Sequence, residues 1–515
     1  MAALTPIPLR TLALRAFAEL ERNDSIFDLP RRCFVVPDAA KTGVTIHGRR
    51  AATPLGPSAG PHTQFAQTIA LCWLGGARVM ELKTVQALDA IAIPRPCIDA
   101  RNVGYNVEWS QELRLEQSLD EYVKASMLID LLAQRFGVER GSIFDVSVGY
   151  DLAGIRSERI VAFLHSMIDA RDRVDALRGD LDADFVTNIA GSVTLSTFHG
   201  CPPDEIESIA DLLMTEIGVD VSIKLNPTLL GPRDLFAILH DRLGYVDVNV
   251  PASAFESDPT FAQALDIAGR LRDRARTLGR SFGIKLTNTL VVENRSDFLP
   301  RSERLAYLSG PPLHVLAMHL MQRFRRAMPD LLISFSAGID RRNYADAVRL
   351  GLAPVTVCTD LLKQGGYARL QAYAAALDEQ LPLQQLSIDD YLAQLDRDPR
   401  YAFARVVRTP RKRATAVTTF DCAMCDLCVE VCPNDAMFRI PSLPHHAKKH
   451  QIVCFADVCN DCGNCEVFCP DVGAPQRVKP RIDGSGRVEP EEFADYVRSA
   501  VFDTARVNYL NVEEP

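Results

Sequence analysis

The sequence predicts an α/β protein in which a (β/α)8 TIM barrel is followed by a small cysteine-rich domain. Short apolar or β-branched runs alternate with amphipathic helical stretches over most of residues 41–378, which is typical of parallel strands joined by crossover helices. Polar residues follow many of these runs, as they do at the carboxyl end of a barrel. Nine of the 14 cysteines fall between Cys422 and Cys469, so a domain of a different kind follows.

Composition and charge exclude several classes of protein. Hydrophobic residues make up 47% of the 515 residues and charged residues 24%, with a formal net charge of -9, so no basic excess invites nucleic acid. Arg10 and Arg15 interrupt the first apolar stretch at helical spacing, which indicates a surface helix rather than a signal peptide. No stretch approaches the roughly 18 apolar residues of a membrane span. We therefore expect a cytoplasmic protein with neither a nucleic-acid nor a membrane partner.

Nine runs compete for the eight strand positions of the barrel. We expect the run YVDVNV (245–250) to lie outside it. No G-x-G-x-x-G motif follows an early strand, so the sequence offers no dinucleotide-binding module of the Rossmann type. The other eight candidates are 51–60, 78–84, 143–150, 192–197, 221–227, 282–289, 331–339 and 354–360.

Polar or reactive residues cluster where the predicted strands end. A barrel gathers its active site from these positions. The last two strands end in SAGID and VCTD, and small residues that open onto helices suit the phosphate site that barrels build after strands 7 and 8. The strand-end residues are Lys83, Thr84, Tyr150, Asp151, Thr197, Asn226, Asn288, Thr289, Gly338 and Thr359.

The cysteine-rich segment carries the motif C-x2-C-x2-C-x3-C-P twice. This is the signature of bacterial two-cluster ferredoxins, in which the fourth cysteine of each motif binds the other cluster. Zinc is the alternative, but it prefers paired C-x2-C units with four ligands in total. We expect Cys454, the ninth cysteine, to be a buried strand residue. The first cysteine set, for one 4Fe–4S cluster, is Cys422, Cys425, Cys428 and Cys469; the second set is Cys459, Cys462, Cys465 and Cys432.

These patterns divide the chain into five segments. We expect an N-terminal helical arm over 1–40, the barrel over 41–378, a helical and basic linker over 379–415, a ferredoxin-like 2×4Fe–4S domain over 416–482 and a C-terminal tail over 483–515.

Several motifs connect the barrel to a known family. The phrases ELKTVQ, LSTFHG, KLNP, KLTNTL, SAGID and CTDLL resemble the FMN barrel of the dihydroorotate and dihydropyrimidine dehydrogenase superfamily. Longer phrases such as GPSAGPHTQ and LSTFHGCPP resemble the YgfK branch, labelled as selenate reductase subunits, over most of residues 5–375. Dihydropyrimidine dehydrogenase likewise joins an FMN barrel to two C-terminal 4Fe–4S clusters.

The resemblance implies a flavin- and iron–sulfur-dependent oxidoreductase that reduces or oxidises a C=C or C=N bond of a small heterocycle-like molecule. The FAD- and NAD(P)H-binding modules of the large reductases have no counterpart here. This departure implies a separate FAD/NAD(P)H-binding or other electron-transfer subunit, and we expect an oligomer. The alternative is a non-catalytic electron-transfer scaffold within a larger reductase complex.

The resemblance also implies a set of flavin-binding residues. Lys83 would lie beside the isoalloxazine, with Thr84 next to it, and Lys224 would reach the N1 and ribityl side, where a cation stabilises reduced flavin. Ser58 and Ala59 would supply close backbone contacts. The phosphate would lie against Ala337, Gly338, Cys358 and Thr359.

The implied substrate pocket departs from the family pattern. Tyr150, Asp151, Asn226, Asn288 and Thr289 would line it, but Asp151 stands where the family usually has asparagine. In addition, Thr194 replaces an amide that reads the pyrimidine and Thr197 replaces the acidic cysteine. Uracil is therefore not the expected substrate.

Three residues after the fourth strand are candidates for the proton donor. Thr197 occupies the acid position, but a hydroxyl is a far weaker acid than a thiol. Cys201 precedes Pro-Pro-Asp-Glu at a predicted helix start, where the helix dipole favours thiolate. We expect Cys201 to be the principal donor, with Thr197 in support and His199 as the neighbouring alternative.

Overall fold

A closed parallel barrel forms the centre of the molecule. The computed structural model describes residues 4–89, 91–107, 110–197, 204–406, 412–442 and 448–501. Neighbouring strands pair in the order β1-β8-β7-β6-β5-β4-β3-β2, and the Arg78 N–H closes the ring by donating to the Leu55 carbonyl at 2.8 Å. The strands are β1 (Leu55–Pro57), β2 (Val79–Glu81), β3 (Ile143–Val148), β4 (Ala190–Ser196), β5 (Asp220–Leu225), β6 (Phe282–Leu286), β7 (Leu332–Phe335) and β8 (Val355–Val357).

The predicted strand assignment is confirmed. Each of the eight candidate runs contains one barrel strand, and residues 245–250 form turns and irregular backbone. The strands contain mainly β-branched and apolar residues because both of their faces are covered, by the barrel interior and by the surrounding helices.

The helices that cover the barrel pack through apolar faces. In helix Phe261–Thr277, the buried residues recur every three to four positions from Ala264 to Ala275, and Thr260 and Gln263 cap each other's backbone N–H groups at its start. The other helices of the barrel region are Ala66–Leu74, Leu115–Phe136, Leu152–Ile155, Glu158–Ile168, Arg171–Arg178, Ile206–Leu212, Pro232–Phe236, Ala252–Glu256, Pro311–Ala327, Tyr344–Arg349 and Leu370–Asp378, with π-helical turns at Leu213–Ile217 and Ala237–Arg242. None of the helices in these described ranges combines the length and hydropathy that crossing a bilayer requires.

A second, antiparallel sheet was not predicted. Its strands are Ile98–Asp99 and Gly104–Asn106, which follow β2, and Leu290–Glu293 and Leu305–Ser309, which follow β6. We call it the accessory sheet. Its strands are only two to five residues long, too short to show a period-two pattern in the sequence.

The barrel interior contains a buried ion pair. Lys285 on β6 is 1% exposed and contacts Glu81 on β2. The hydroxyl of Thr356 also donates to Glu81, at 3.0 Å. Nearby, Asp145 on β3 accepts hydrogen bonds from Ser192 at 2.6 Å and Thr194 at 2.5 Å, and its pKa is raised to about 6 by burial and then by Glu81. Thr194 therefore takes part in the hydrogen-bond network of the barrel interior.

The cysteine-rich unit is built on a four-stranded sheet. Met437–Pro441 and His450–Phe455 form an antiparallel hairpin, and Arg481–Ile482 and Val488–Glu489 complete the sheet. The last two strands extend across the expected boundary at 482/483, and helix Ala494–Val501 buries its apolar face in the same core. Its other helices are Leu427–Glu430, Asn464–Phe468 and Pro475–Val478.

The N-terminal arm joins the barrel to the cysteine-rich unit. Its helix Leu9–Asn23 carries Arg15, which is 1% exposed and donates to Glu19 at 2.7 Å and to Asp435 at 2.6 Å. The Thr5 N–H donates to the carbonyl of Asp457 at 2.8 Å. Because both side chains of the Arg15–Asp435 pair are buried, the arm is part of the folded core.

The expected linker also packs on the barrel. It contains the helices Ile388–Leu395 and Phe403–Val406. Within the first, the Tyr391 hydroxyl donates to Nε2 of His314 at 2.9 Å, while Nδ1 of the same ring donates to the Ala337 carbonyl at 2.8 Å. Burial lowers the pKa of His314 to about 4, so the imidazole is neutral.

We expect Lys285→Met to destabilise the protein by about 3–5 kcal/mol, because it leaves the Glu81 carboxylate buried without its cation. The exposed pair Arg270–Glu207 supplies the control: Arg270→Met should cost at most about 1 kcal/mol. Thermal unfolding of the full chain should therefore give a lower midpoint for Lys285→Met than for Arg270→Met. Glu81→Leu combined with Lys285→Met should recover part of the stability that Lys285→Met loses. Equal midpoints for Lys285→Met and Arg270→Met would contradict the prediction.

Candidate functional site

A cavity lies at the carboxyl ends of the barrel strands. Its mouth opens to solvent, and both polar and apolar groups line it, as in most sites that bind small molecules. Residues from six of the eight predicted strand runs and from the accessory sheet line it. Of the residues predicted for the site, the cavity brings together Ser58, Ala59, Lys83, Lys224, Asn288, Thr289, Gly338, Cys358 and Thr359.

Two lysines dominate the electrostatics of this cavity. The pKa of Lys83 and the pKa of Lys224 are each lowered to about 8, chiefly by burial. Lys285 adds to the effect on Lys224. Between them, burial raises the pKa of the Cys358 thiol to about 11, against the opposing influence of both lysines. The cavity thus holds two cations that an anionic ligand would stabilise.

The end of the cavity nearest β7 and β8 has no room for further side chains. Gly338 has a φ of 54°, and a Cβ there would collide with the carbonyl of Gly310. A Cβ at Gly104 would likewise collide with Ser309. The Ser309 and Thr359 hydroxyls share a 2.8 Å hydrogen bond at this point. Exposed backbone beside hydroxyl groups is what a phosphate group requires.

Three other predicted residues, Thr84, Ala337 and Asn226, do not line the cavity. The Thr84 hydroxyl shares a hydrogen bond with Ser147 at 2.8 Å, and the carbonyl of Ala337 is held by His314. Asn226 donates to Asp258 at 2.6 Å and accepts from Asn288 at 2.7 Å. Asn226 therefore orients a lining residue.

The predicted catalytic and remaining substrate residues that the structure describes do not line the cavity. Thr197 donates its hydroxyl hydrogen bond to the Lys224 carbonyl at 2.7 Å. Asp151 accepts from the N–H of Gly154 at 2.7 Å and so caps the helix Leu152–Ile155, and Tyr150 is half-buried beside that helix. His199 and Cys201 lie outside the described residues.

The accessory sheet supplies lining residues that the sequence did not predict. Tyr105, Asn106, Tyr307 and Ser309 reach the cavity from it. Burial raises the pKa of Tyr105 to about 12, so this phenol stays protonated at neutral pH. The residue types carried no signal because neither short strand ends a recognisable apolar run.

The motif cysteines are neighbours of one another. Burial and the neighbouring thiols of Cys422, Cys425 and Cys469 raise the pKa of Cys428. For Cys465, in the second set, burial raises the pKa most, followed by the thiols of Cys462, Cys432 and Cys459 and by that of Cys428 from the first set. The division into two sets stays a prediction from the spacing.

The backbone around these cysteines turns its N–H groups toward sulfur. Met424 N donates to Cys422 Sγ at 3.4 Å and Ala436 N to Cys432 Sγ at 3.3 Å. Met424 itself adopts a positive φ of 50°. Hydrogen bonds to sulfur are one of the means by which proteins tune iron–sulfur clusters. Within the described ranges, no three His, Cys, Asp or Glu side chains converge as ligands of one metal ion would.

The second cysteine set is attached to the lining of the cavity. The carbonyl of Cys462 accepts the N–H groups of Cys97 at 2.9 Å and Ile98 at 3.0 Å. Nearby, Nδ2 of Asn464 donates to the Leu362 carbonyl at 2.8 Å. Ile98 and Leu362 both line the cavity. One cavity residue therefore separates this cysteine loop from the cavity at each of two points.

A buried ionic contact lies at the same junction. Arg95 pairs with Glu112, and both side chains are less than 10% exposed. Asn460, next to the first cysteine of the second set, donates to Glu112 at 2.8 Å. Two polar atoms of this junction, Arg95 Nε and Asn464 Oδ1, are buried without a hydrogen-bond partner in the described part of the chain.

Comparison with known proteins is consistent with this architecture. A family model described as "Oxidoreductase YgfK, N-terminal TIM-barrel domain" matches residues 27–398. The YgfK proteins of Escherichia coli K12 and of Escherichia coli O157:H7 are each 39% identical to this chain over 406 residues, which covers 73% of this chain and 39% of each relative. The chain thus spans about two fifths of the length of these relatives. With its barrel matched from end to end, this chain belongs to the YgfK oxidoreductase family.

Proposed function

We propose that this chain is a flavin- and iron–sulfur-dependent oxidoreductase subunit. It would pass electrons between an external partner, two 4Fe–4S clusters and FMN, and so reduce or oxidise a C=C or C=N bond of a small heterocycle-like substrate. The observation that carries the proposal is the double attachment of the second cysteine set to the cavity, through Cys462 to Ile98 and through Asn464 to Leu362. Such proximity would suit electron transfer between a cluster held by the second cysteine set and a flavin in the cavity.

The residues present fit the two kinds of cofactor. Lys83 and Lys224 offer positive charge to a flavin ring, and the side-chain-free surface at Gly338, beside Thr359, suits a single phosphate. The two cysteine sets, with N–H groups directed at sulfur, suit two cubane clusters. When bound, FMN would supply hydride transfer and the clusters single-electron transfer.

The chain's own groups would position the substrate and supply the proton. Asn288, held by Asn226, and Thr289 present polar groups to the cavity. We propose Cys201 as the proton donor, with His199 nearby. Since the Thr197 hydroxyl already donates to the Lys224 carbonyl, Thr197 would support this step by positioning β5 rather than by giving up its proton.

The electron partner would be a separate FAD/NAD(P)H-binding or other electron-transfer subunit. Cys425 of the first cysteine set is exposed, whereas Cys462 and Cys465 of the second set are buried. The first set would therefore face the partner and the second would face the cavity.

We expect FMN affinity to fall as the pH rises from 7 to 9. Lys83 and Lys224 have pKa values of about 8 in the absence of ligand, and they are charged below that pH. Lys224→Met should weaken FMN binding about tenfold at pH 7 and reduce the pH dependence, because one charge-assisted contact is lost. Lys224→Arg should keep the charge across this range. Flavin fluorescence titration measures both.

The exposed Lys41 provides the control for that series, since Lys41→Met should bind FMN as the unaltered protein does. Unchanged binding by Lys224→Met at both pH values would rule out its proposed place beside the flavin.

Cys428→Ser should lower the iron content of anaerobically purified protein while flavin stays bound. Two 4Fe–4S clusters require about eight iron atoms per chain, and the variant should damage one cluster. Cys33→Ala is the matched control, because Cys33 is buried in the N-terminal arm, outside both motifs. Iron and sulfide analysis, with electron paramagnetic resonance after reduction, provides the measurement. A preparation that contains zinc and no iron would refute the cluster assignment.

With reduced viologen as donor, the full chain should consume an oxidised heterocycle, and neither NADH nor NADPH should replace the viologen. A panel of heterocycles and enones, followed by product analysis, tests both statements. Cys201→Ala should leave flavin reduction unchanged and slow only its reoxidation by substrate. If protein that contains its flavin and clusters transfers electrons but consumes no member of the panel, the electron-transfer scaffold is favoured. Rapid reduction of the flavin by NADH or NADPH would show that no separate electron-transfer subunit is needed.

A further inference from the structure

A basic groove adjoins the cavity at its Gly338 end. Gly338 lines both spaces. The chain as a whole is acidic, with a net charge of -9, yet the groove presents five cationic side chains and a single carboxylate, that of Asp340. The cationic residues are Arg101, Arg342, Lys363, Arg400 and Arg405.

Two of the five cations are neutralised by neighbours. Arg101 binds Asp99 at 2.6 Å and Asp297 at 2.8 Å. Arg400 binds Asp398 at 2.5 Å. These pairs hold the two guanidinium groups in place but leave little charge to offer a ligand.

The other three cations retain their charge for a ligand. Arg342 and Arg405 are exposed, and neither makes an ion pair with any residue of the described part of the chain. Lys363 donates to the Asn102 carbonyl at 3.1 Å, which leaves two of its three protons to direct elsewhere. Among the lining residues, these three cations face the single carboxylate of Asp340. Asp360 and Asp398 also act on Lys363 and Arg342, but they are already paired with Arg369 and Arg400. The groove therefore carries a net positive charge.

Two further features favour an anion there. The 17-residue helix Pro311–Ala327 begins with Pro311 in the wall of the groove, so the positive end of its dipole lies there. Burial lowers the pKa of Lys363, and a bound anion would offset the cost of keeping this ammonium group charged.

We propose that this groove binds a phosphate-bearing anion with two or more negative charges. Arginine forks match the oxygens of phosphate esters, and the groove continues from the point where the flavin phosphate is expected. The same chemistry has two sources: a free nucleotide such as ADP, or the nucleotide half of a dinucleotide flavin that extends past Gly338. The groove's charge is a property of its side chains and does not depend on the flavin assignment.

Calorimetric titration of inorganic pyrophosphate and of ADP into the full chain tests the proposal. Arg342→Gln combined with Arg405→Gln should weaken binding at least about tenfold, since two charge-assisted contacts are lost. Arg341→Gln is the matched control, because Arg341 is exposed on the same loop but does not line the groove. Asp340→Asn should tighten binding, and added salt should weaken it in the unaltered protein more than in the double variant.

The flavin released by acid from each variant distinguishes the two sources. FMN in all variants, together with pyrophosphate or ADP binding that depends on Arg342 and Arg405, indicates a free nucleotide. FAD in the unaltered protein and FMN in the double variant indicates a dinucleotide flavin. Two results would contradict the proposal, provided that the flavin is the same in every variant. In the first, pyrophosphate and ADP bind Arg341→Gln and the double variant equally. In the second, they bind neither protein.

Discussion

The carbonyl oxygen of Cys462 is the point on which the arrangement of the two domains depends. It accepts two backbone N–H groups from the segment that leads into the accessory sheet, and a turn at Gly463 packs against Pro96 and Phe298. Backbone hydrogen bonds of this kind specify distance more tightly than side-chain contacts do, because neither partner can change rotamer. The cysteine loop, the accessory sheet and the cavity wall are therefore fixed relative to one another as one rigid assembly.

Buried charged side chains have different surroundings in the barrel interior and at the cavity. In the interior, Lys285 and Glu81 neutralise each other, which makes this level a structural support. At the cavity, burial disfavours the charge of Lys83 and Lys224, and the flavin that we propose there would stabilise it. The structural lysine and a proposed binding lysine thus lie on adjacent strands, with Lys224 on β5 and Lys285 on β6.

The eight strands could be predicted because each is a short apolar run that ends in a polar residue. The same rule located Lys83 and Asn288 at the cavity, whereas Lys224 was expected there from the family resemblance. It failed for Asp151 and Thr197, which follow their strands equally well but make local hydrogen bonds, to Gly154 and to the Lys224 carbonyl. Sequence position gives the end of a strand but not the direction of the side chain. The accessory sheet escaped prediction for another reason: strands such as Ile98–Asp99 form only through tertiary contact.

The contact between Arg15 and Asp435 joins residues separated by 420 positions. During synthesis the first helix emerges long before its acceptor carboxylate exists, and domains generally fold as units from the N-terminus. The arm can dock on the barrel earlier, because the Lys124 ammonium holds the Ile7 carbonyl at 2.6 Å, but the carboxylate partner of Arg15 on the cysteine-rich unit is added only after residue 435 has left the ribosome. The arm therefore binds the two parts of the protein at different times, first the barrel and then the cysteine-rich unit.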